Sequence, residues 1–444
     1  MCSGCGLTAD AGDPYPFRCP SAGLDDGDHV LVRVLDTTAV RFPDPAQAAG
    51  EPNPFVRYRS LMRPYHLATA GGLDDEGYRR LVEELDRSVQ HVDGHGFRAT
   101  PFARSVALSQ ALGCVGPGAV WVKDETGNVS GSHKGRHLMG LLLHLEVVER
   151  LGLADRAHRP HLAIASCGNA GLAAAVVAAA AGRRLRVFVP VDADPRVLDR
   201  LRALRADVVV CPREAGVAGD PTYLRLQGEL AAGAIPFTCQ GPENGLAIEG
   251  GITLGYEIAT DLAIAGEELD HVVVQVGGGA LASAVGQGLR EAVELGALRK
   301  MPQLHTVQTA AAAPLARAYE RVRALLPERP APDDVGRALR TAARHRSSYM
   351  WPWESEPKSL AHGILDDETY DWLAVVGLML TTGGEPLAVD EDLLAEANAV
   401  AVRATGIPVD ATGSAGLAGL MALRRSGRVA PGERTAVLFT GVRR

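Results

Sequence analysis

Lys134 lies in the run Val129-Ser130-Gly131-Ser132-His133-Lys134-Gly135-Arg136-His137, and further along the chain reads Ser166-Cys167-Gly168-Asn169-Ala170-Gly171. A lysine amine does covalent chemistry only when it is close to neutral and uncrowded, so that it can condense with an aldehyde and later carry a proton. Ser130, Gly131 and Ser132 let the backbone turn tightly, and Gly135 leaves the far side of the lysine open. Leu138, Leu141, Leu142, Leu145 and Val148 then recur at helical spacing, which predicts a helix that starts at the lysine and buries that face. This setting suits the imine that pyridoxal phosphate (PLP) forms with a lysine. An exposed lysine at a helix start fits the same run equally well, so other motifs must decide.

The second motif follows His161-Leu-Ala-Ile-Ala165 and precedes the alanine-rich stretch Leu172 to Ala181. An apolar run, a polar glycine-bearing turn and an apolar helix predict a strand, a loop at its carboxyl end and a helix whose first amides face that loop. Such amides bind anions, so Ser166, Gly168, Asn169 and Ala170 are candidates to hold a substrate carboxylate. Asn169 both donates and accepts, which suits a contact with a cofactor's ring oxygen. Taken alone, the stretch is better read as an ordinary strand-to-helix turn capped by asparagine. A third segment, His271-Val-Val-Val-Gln-Val276 followed by Gly277-Gly278-Gly279 and Ala280-Leu281, predicts a strand opening through three glycines into a helix. Unhindered amides at a positive helix end suit a phosphate. No Gly-Lys-Ser/Thr phosphate loop and no dinucleotide fingerprint is present, which argues against ATP and NAD.

The order of lysine motif, Ser-x-Gly-Asn loop, glycine triplet and the late segment Asp410-Ala-Thr412-Gly413-Ser414-Ala-Gly resembles the fold type II PLP enzymes, the tryptophan synthase β-like superfamily, from Thr100 to Thr440. The resemblance implies an α/β architecture of two open-sheet lobes with PLP as cofactor. It implies Lys134 as the imine lysine and Gly277, Gly278, Gly279 with the Ala280 and Leu281 amides as the phosphate cup. Asn169 becomes the ring-oxygen partner, and a hydroxyl of Thr412 or Ser414, with Ser414 preferred, the partner of the pyridine nitrogen. A hydroxyl cannot keep that nitrogen protonated as a carboxylate would, so the ring is a weaker electron sink and rapid loss of a leaving group is favoured.

Within the superfamily, Glu249-Gly-Gly-Ile-Thr253 with Tyr256-Glu257-Ile258, Arg57-Tyr-Arg-Ser-Leu61 and Thr100-Pro-Phe102 are similar to stretches of the threonine synthase and threonine dehydratase group, as is a cysteine-bearing amino terminus. His133 and Gly135 depart from that group, and the His-Lys pair looks more like tryptophan synthase β chains. The expected activity is elimination or replacement at Cβ or Cγ of a hydroxy- or O-activated L-amino acid, in the manner of threonine synthase. Serine/threonine dehydration, β-replacement of the cysteine synthase type and PLP binding without turnover are the alternatives. His133, Arg136, His137 and Glu249 are candidates for steering the leaving group, with His133 and Glu249 counted among the substrate-binding residues. A homodimer is expected.

These residues need elements to place them. A chain of 444 residues is too long for one simple core. The reading divides it into an amino-terminal extension, 1–98, and a catalytic region, 99–440, whose small lobe spans about 130–245. Val187 to Pro190, Val208 to Cys211 and Pro236 to Cys239 are predicted strands with helices over Pro195–Leu204 and Tyr223–Leu230 between them, an alternation that implies parallel sheets. The pattern loosens between Ala310 and Gly363, where Leu325 to Pro332 reads as a linker and Ser347 to Trp353 as a packing loop, a lid or a subunit contact. Thr435 to Thr440 is a final strand that leaves no room for a regulatory domain.

A net charge of −8 with 22% charged residues argues against a nucleic-acid or membrane surface. No spanning apolar run or leader is evident, so a cytoplasmic enzyme is expected. Seven cysteines spread along the chain suit reduced thiols. Cys2-x-x-Cys5 with Cys19 makes a zinc knob only if His29 serves as fourth ligand, and the favoured reading is a vestigial terminus with no metal. Cys167 is read as a packing residue.

Overall fold

The computed structural model describes every residue except 11, 214–216, 218, 356 and 444. Among the described residues, ten strands form two sheets. The larger takes β1 (Phe102–Arg104), β2 (Ala119–Asp124), β7 (His271–Gln275), β8 (Gln303–Thr309), β9 (Pro386–Val389) and β10 (Arg434–Phe439) in the order β1-β2-β10-β7-β8-β9. Only β1 and β2 are antiparallel; Val437 of β10 sits between Val122 and Val273 in parallel register. The smaller sheet, β5-β4-β3-β6, is parallel throughout and comprises β3 (Leu162–Ala165), β4 (Leu185–Val189), β5 (Asp207–Val210) and β6 (Ile235–Pro236). β7 is buried along its whole length, as a continuous valine run in a central parallel strand should be. The two-lobed α/β architecture expected from the sequence is thus the one found.

The lysine helix (Lys134–Arg150) and the helix Ala247–Ala265 are almost entirely buried and cross backbone against backbone at Gly140 and Gly250, where a Cβ on Gly140 would lie 2.7 Å from the Gly250 Cα. Two residues beyond Lys134, the Arg136 guanidinium is out of contact with solvent and bonds Glu125 (2.8 Å) from the end of β2 and Glu257 (2.6 Å) from the crossing helix. Lys123 of β2 reaches Glu257 at 2.6 Å, and the Thr100 hydroxyl donates to Glu125. Two cations and two anions therefore cancel inside the core, the condition under which buried charge is tolerated. Burial alone would raise the Glu257 carboxyl, but Arg136 and Lys123 hold it at about 2.

The extension does not trail from the catalytic region. Its long helix, Asp75–Asp93, is capped by Asp74 accepting from the Gly77 amide (2.8 Å) and stopped by Gly94 in the left-handed region. Tyr78, Leu81, Val82, Leu85 and Val89 on its buried face share one core with the lysine helix and the small sheet.

Some local readings change. The strand expected over Pro236–Cys239 ends at Pro236, because proline offers the ladder no N–H and its carbonyl accepts from the Asn244 side chain at 2.7 Å. The loosely patterned stretch after Ala310 contains two amphipathic helices, Pro314–Arg323 and Pro332–Arg344, so Leu325–Pro332 joins helices rather than domains. Trp351 packs under the Arg317 guanidinium (3.6 Å to the ring centroid) and Tyr349 stacks on Trp372, which makes 347–353 a packing segment. No helix among the described residues is long and apolar enough to cross a membrane.

Because Arg136 is the shared partner, Arg136→Ala strands two buried carboxylates, and a loss of about 3–5 kcal/mol in unfolding free energy is expected by denaturant titration. Glu257 is depressed from 4.5 to about 2, so its contribution is complete above pH 4.5 and disappears as pH falls through 2. Glu257→Gln should flatten the acid limb of the stability profile in that window; an unchanged limb counts against this network as the anchor.

Candidate active site

The motifs separated in sequence meet beyond the end of β10. Gly131 of the lysine loop accepts from the Val442 amide (3.0 Å), and the His133 amide donates to Thr440 (3.4 Å). Asp410 donates to the Gly441 carbonyl (3.0 Å). A Cβ on Gly441 would sit 3.0 Å from Asn169 Nδ2 and 3.1 Å from an Asp410 oxygen, so a larger residue there would crowd both side chains where these loops close together. Gln275, two residues before the glycine triplet, donates from Nε2 to the Gly413 carbonyl (2.8 Å) and to Thr440 Oγ1 (2.6 Å). The lysine loop, the Asn169 loop, the triplet and the Asp410–Ser414 segment are thereby laced at one place.

Lys134 is the first residue of its helix and is half-buried. The loop before it holds Ser130 at φ 60°, a conformation costly for a side chain, and the Ser130 amide is received by Asp93 Oδ2 (2.8 Å) at the end of the extension's helix. His133 and His137 flank the lysine with rings 5.8 Å apart. Burial, with the Lys134 charge adding, pushes His137 down to about 3 and His133 well below its usual value, so both imidazoles are neutral. His137 donates from Nδ1 to the Ala247 carbonyl (2.8 Å), and the Nε2 atoms of both rings are buried without partners.

The triplet Gly277–Gly279 leads into the helix Ala280–Glu294, with Gly279 at φ +96° and Ala280 and Leu281 forming the first buried turn. Tyr370 and Asp366 lie against it: a Cβ on Gly278 would come within 2.8 Å of the Tyr370 ring, and one on Gly277 would strike the Asp366 carboxylate. Thr369 donates to the Gly277 carbonyl (3.1 Å) and Asp371 N–H to that of Gly278 (3.0 Å). The Asp366 carboxyl thus lies against the triplet, where the Gly278 amide favours its charged form. Burial pushes Asp366 up to about 6, against the nearby Lys134 charge and with Asp367 adding. Asp371, also within the field of Lys134, is pushed up by burial to about 8, with Asp28 adding. Neither acid, nor Gly441 or Gln275, is singled out by sequence reasoning. Asp366 and Asp371 lie just beyond the loosely patterned stretch, and only their acidity beside the apolar helix Trp372–Thr382 signals them.

Gly168 caps the helix Asn169–Ala180, and the Ser166 hydroxyl accepts from the amides of Gly168 (3.3 Å) and Gly171 (3.2 Å), which orients the loop with Ala170 in its first turn. Burial pushes the Cys167 thiol up, in keeping with packing. The Ser414 hydroxyl donates to the Asp410 carbonyl (2.9 Å) and accepts from Asn398 Nδ2 (2.9 Å), leaving it no proton for a ring nitrogen. Thr412 Oγ1 accepts from the Gly363 amide (3.0 Å), and among the described residues its own proton goes to no acceptor. The two hydroxyls therefore differ in what they have left to donate.

Glu249 and Arg136 have protein partners of their own: Glu249 accepts from the Arg63 amide and lies 3.5 Å from Arg33 of the extension, and Arg136 is locked in the core network. A cavity of 520 Å³ between residues 28–35 and the helix Ala280–Glu294 touches Glu249 and Asp371 but not Lys134.

Residues 95–441 match the family described as pyridoxal-phosphate dependent enzyme. The chain belongs to that family. Its cofactor is pyridoxal 5'-phosphate, and the glycine cradle with an inward amide holding a carboxylate fits a phosphate. A threonine synthase from Methanocaldococcus jannaschii is 25% identical over 343 residues, covering 77% of this chain and 74% of that protein. Among solved structures, threonine deaminase isoform 2 from Solanum lycopersicum (TM-score 0.58, 18% identity, 84% and 92% coverage) and a maize serine racemase (0.57, 16%, 81% and 93%) share the fold.

A dianionic phosphate and an ionised Asp366 compete for the same amide. Asp366 is protonated below about pH 6 and charged above it. Asp366→Asn should therefore hold PLP more tightly than the parent at pH 8, with the difference shrinking toward pH 5 in equilibrium dialysis. Equal retention at both pH values would place Asp366 outside the phosphate's field. Gly278→Asp, which adds a fixed carboxylate to the cradle, should abolish retention.

Proposed function

We propose that this enzyme acts on a hydroxy- or O-activated L-amino acid by elimination or replacement at Cβ or Cγ, in the manner of a threonine synthase. The observation that carries the reading is the Thr412 hydroxyl, which keeps its own proton in the segment laced to the lysine loop, while the Asp410 carboxylate beside it is engaged by the Gly413 amide (2.5 Å). PLP, when bound, supplies the electron sink, and a neutral partner at its ring nitrogen keeps that sink weak. Prompt departure of a leaving group then suits the site better than a long-lived carbanion.

In this reading Lys134 would hold the cofactor covalently and its amine, when free, would take the Cα proton. Gly277, Gly278, Gly279 and the amides of Ala280 and Leu281 would receive the phosphate, and Asn169 would bond the ring oxygen. Ser166, Gly168, Asn169 and Ala170 receive the substrate carboxylate at a helix start. His133, neutral and with an open Nε2, lines the pocket without adding charge beside the amine. Asp366, pushed up by burial to about 6 and within the field of Lys134, is the candidate to protonate the departing group.

A panel of L-serine, L-threonine, O-phosphohomoserine and O-acetylserine, followed by absorbance and product analysis, tests the class. Turnover of at least one with loss of its Cβ or Cγ substituent is expected, and Lys134→Ala should lose it. Racemised amino acid as the sole product across the panel would sink the proposal. Thr412→Asp should protonate the ring, lower elimination by roughly one to three orders of magnitude and make racemised substrate measurable by chiral chromatography. Ser414→Asp should instead disturb folding at Asn398 without that side product.

A further inference from the structure

The extension carries a cluster that this chemistry does not use and that lies outside the family-matched residues 95–441. Cys2, Cys5, Cys19 and His29 bring one donor atom each to a common point, all four within 4.8 Å of one another. Cys5 Sγ and Cys19 Sγ are 3.7 Å apart, and His29 Nδ1 lies 3.6 Å from both Cys2 Sγ and Cys19 Sγ. A tetrahedral zinc ion with bonds of about 2.3 Å to sulfur and about 2.0 Å to nitrogen sets its ligands about 3.5–3.8 Å apart. These three separations match that figure, and the remaining pairs lie within 4.8 Å. They are too long for a disulfide, and sulfhydryl groups bonded only to each other would not require a histidine among them.

The surroundings are those of a ligand set. His29 Nε2 meets Asp25 Oδ1 at 2.8 Å, which places the ring proton on Nε2 and turns the Nδ1 lone pair toward the sulfurs. Asp25 is itself fixed by the Gly27 amide (2.7 Å), and the Cys5 amide points at Cys2 Sγ (3.5 Å), a contact that favours a thiolate. Cys2, Cys19 and His29 are buried while Cys5 is exposed, so a path for the ion exists. The apolar cluster at this place contains only Cys2, Cys19 and Leu31 as buried members, too little to close a loop running from residue 2 to residue 29.

We propose that Cys2, Cys5, Cys19 and His29 bind a structural zinc ion that pins the amino terminus onto the segment covering the active site. The link is short. Asp28, next to His29, donates its amide to the Ala343 carbonyl (2.7 Å) and accepts from Trp372 Nε1 (2.9 Å); the Ser3 amide donates to Val30 (2.9 Å). Trp372 and Asp371 continue directly from Asp366, whose carboxylate lies in the glycine cradle. Binding replaces thiol protons by the metal and involves no electron transfer.

The test uses the full chain with PLP bound, purified without a metal-chelating tag. Elemental analysis should give about one zinc per chain, and cobalt grown in its place should show the intense visible d–d bands of a tetrahedral thiolate site. Cys5→Ser, at the exposed ligand, should lower zinc content at least about tenfold, lower the melting temperature and open residues 1–32 to protease. Zinc content is read without reference to turnover, so this result stands apart from the reaction class. Protein that remains metal-free after dialysis against zinc, or that shows a Cys5–Cys19 disulfide by mass spectrometry, would overturn the proposal. So would a Cys5→Ser variant with parental zinc content.

Discussion

The position of Lys134 depends on the buried charges around Arg136. An arginine sealed from water is tolerated only when every donor finds an acceptor, and here the acceptors come from two directions: Glu125 at the end of β2 and Glu257 on the crossing helix. That requirement fixes the rotation of the lysine helix, since each residue of register turns a helix by about 100°. With Arg136 facing the core, Lys134, two residues earlier, is turned to the opposite side of the helix. The glycine crossing at Gly140 and Gly250 then sets how closely the two helices approach. A recognition motif is thus held by a residue that never meets the ligand.

Around that anchor the site is built to keep charge low. The imidazoles beside Lys134 are neutral, and the acids that cover the glycine triplet are pushed toward their protonated forms by burial. A region with little fixed charge leaves the lysine amine and the oriented amides as the strongest electrostatic features, an arrangement that favours a phosphate and a substrate carboxylate over competing ions. Asp366 occupying one of those amides is consistent with the same logic, because an amide aimed into a pocket attracts whatever anion is nearest.

Fold and reaction remain separate matters. Proteins sharing this architecture at 16–18% identity include a deaminase and a racemase, so the two-lobed framework does not by itself set the reaction. In the proposed reading that choice rests on a few atoms, chief among them the Thr412 hydroxyl in the Asp410–Ser414 segment.

The sequence by itself determined the parts whose signal is local. Lys134 in its small-residue turn, Asn169 after an apolar run and Gly277–Gly279 between a valine strand and a helix are each legible because turn chemistry and periodicity act over a few residues, and their order along the chain was enough to indicate family and cofactor. What only the tertiary structure decided are matters of partner and direction. Glu249 and Arg136 have residue types suited to a substrate but are claimed by Arg33, Arg63, Glu125 and Glu257, which lie far away in sequence. Ser414 and Thr412 are interchangeable on paper and differ in space, because Asn398 and the Asp410 carbonyl engage one hydroxyl and leave the other its proton. Asp366 and Gly441 carry no local signature, and the meeting of Cys2, Cys5 and Cys19 with His29 depends on a loop closing. Local pattern records what a residue can do; long-range packing, which satisfies buried polar groups one by one, decides which residues are left free to do it.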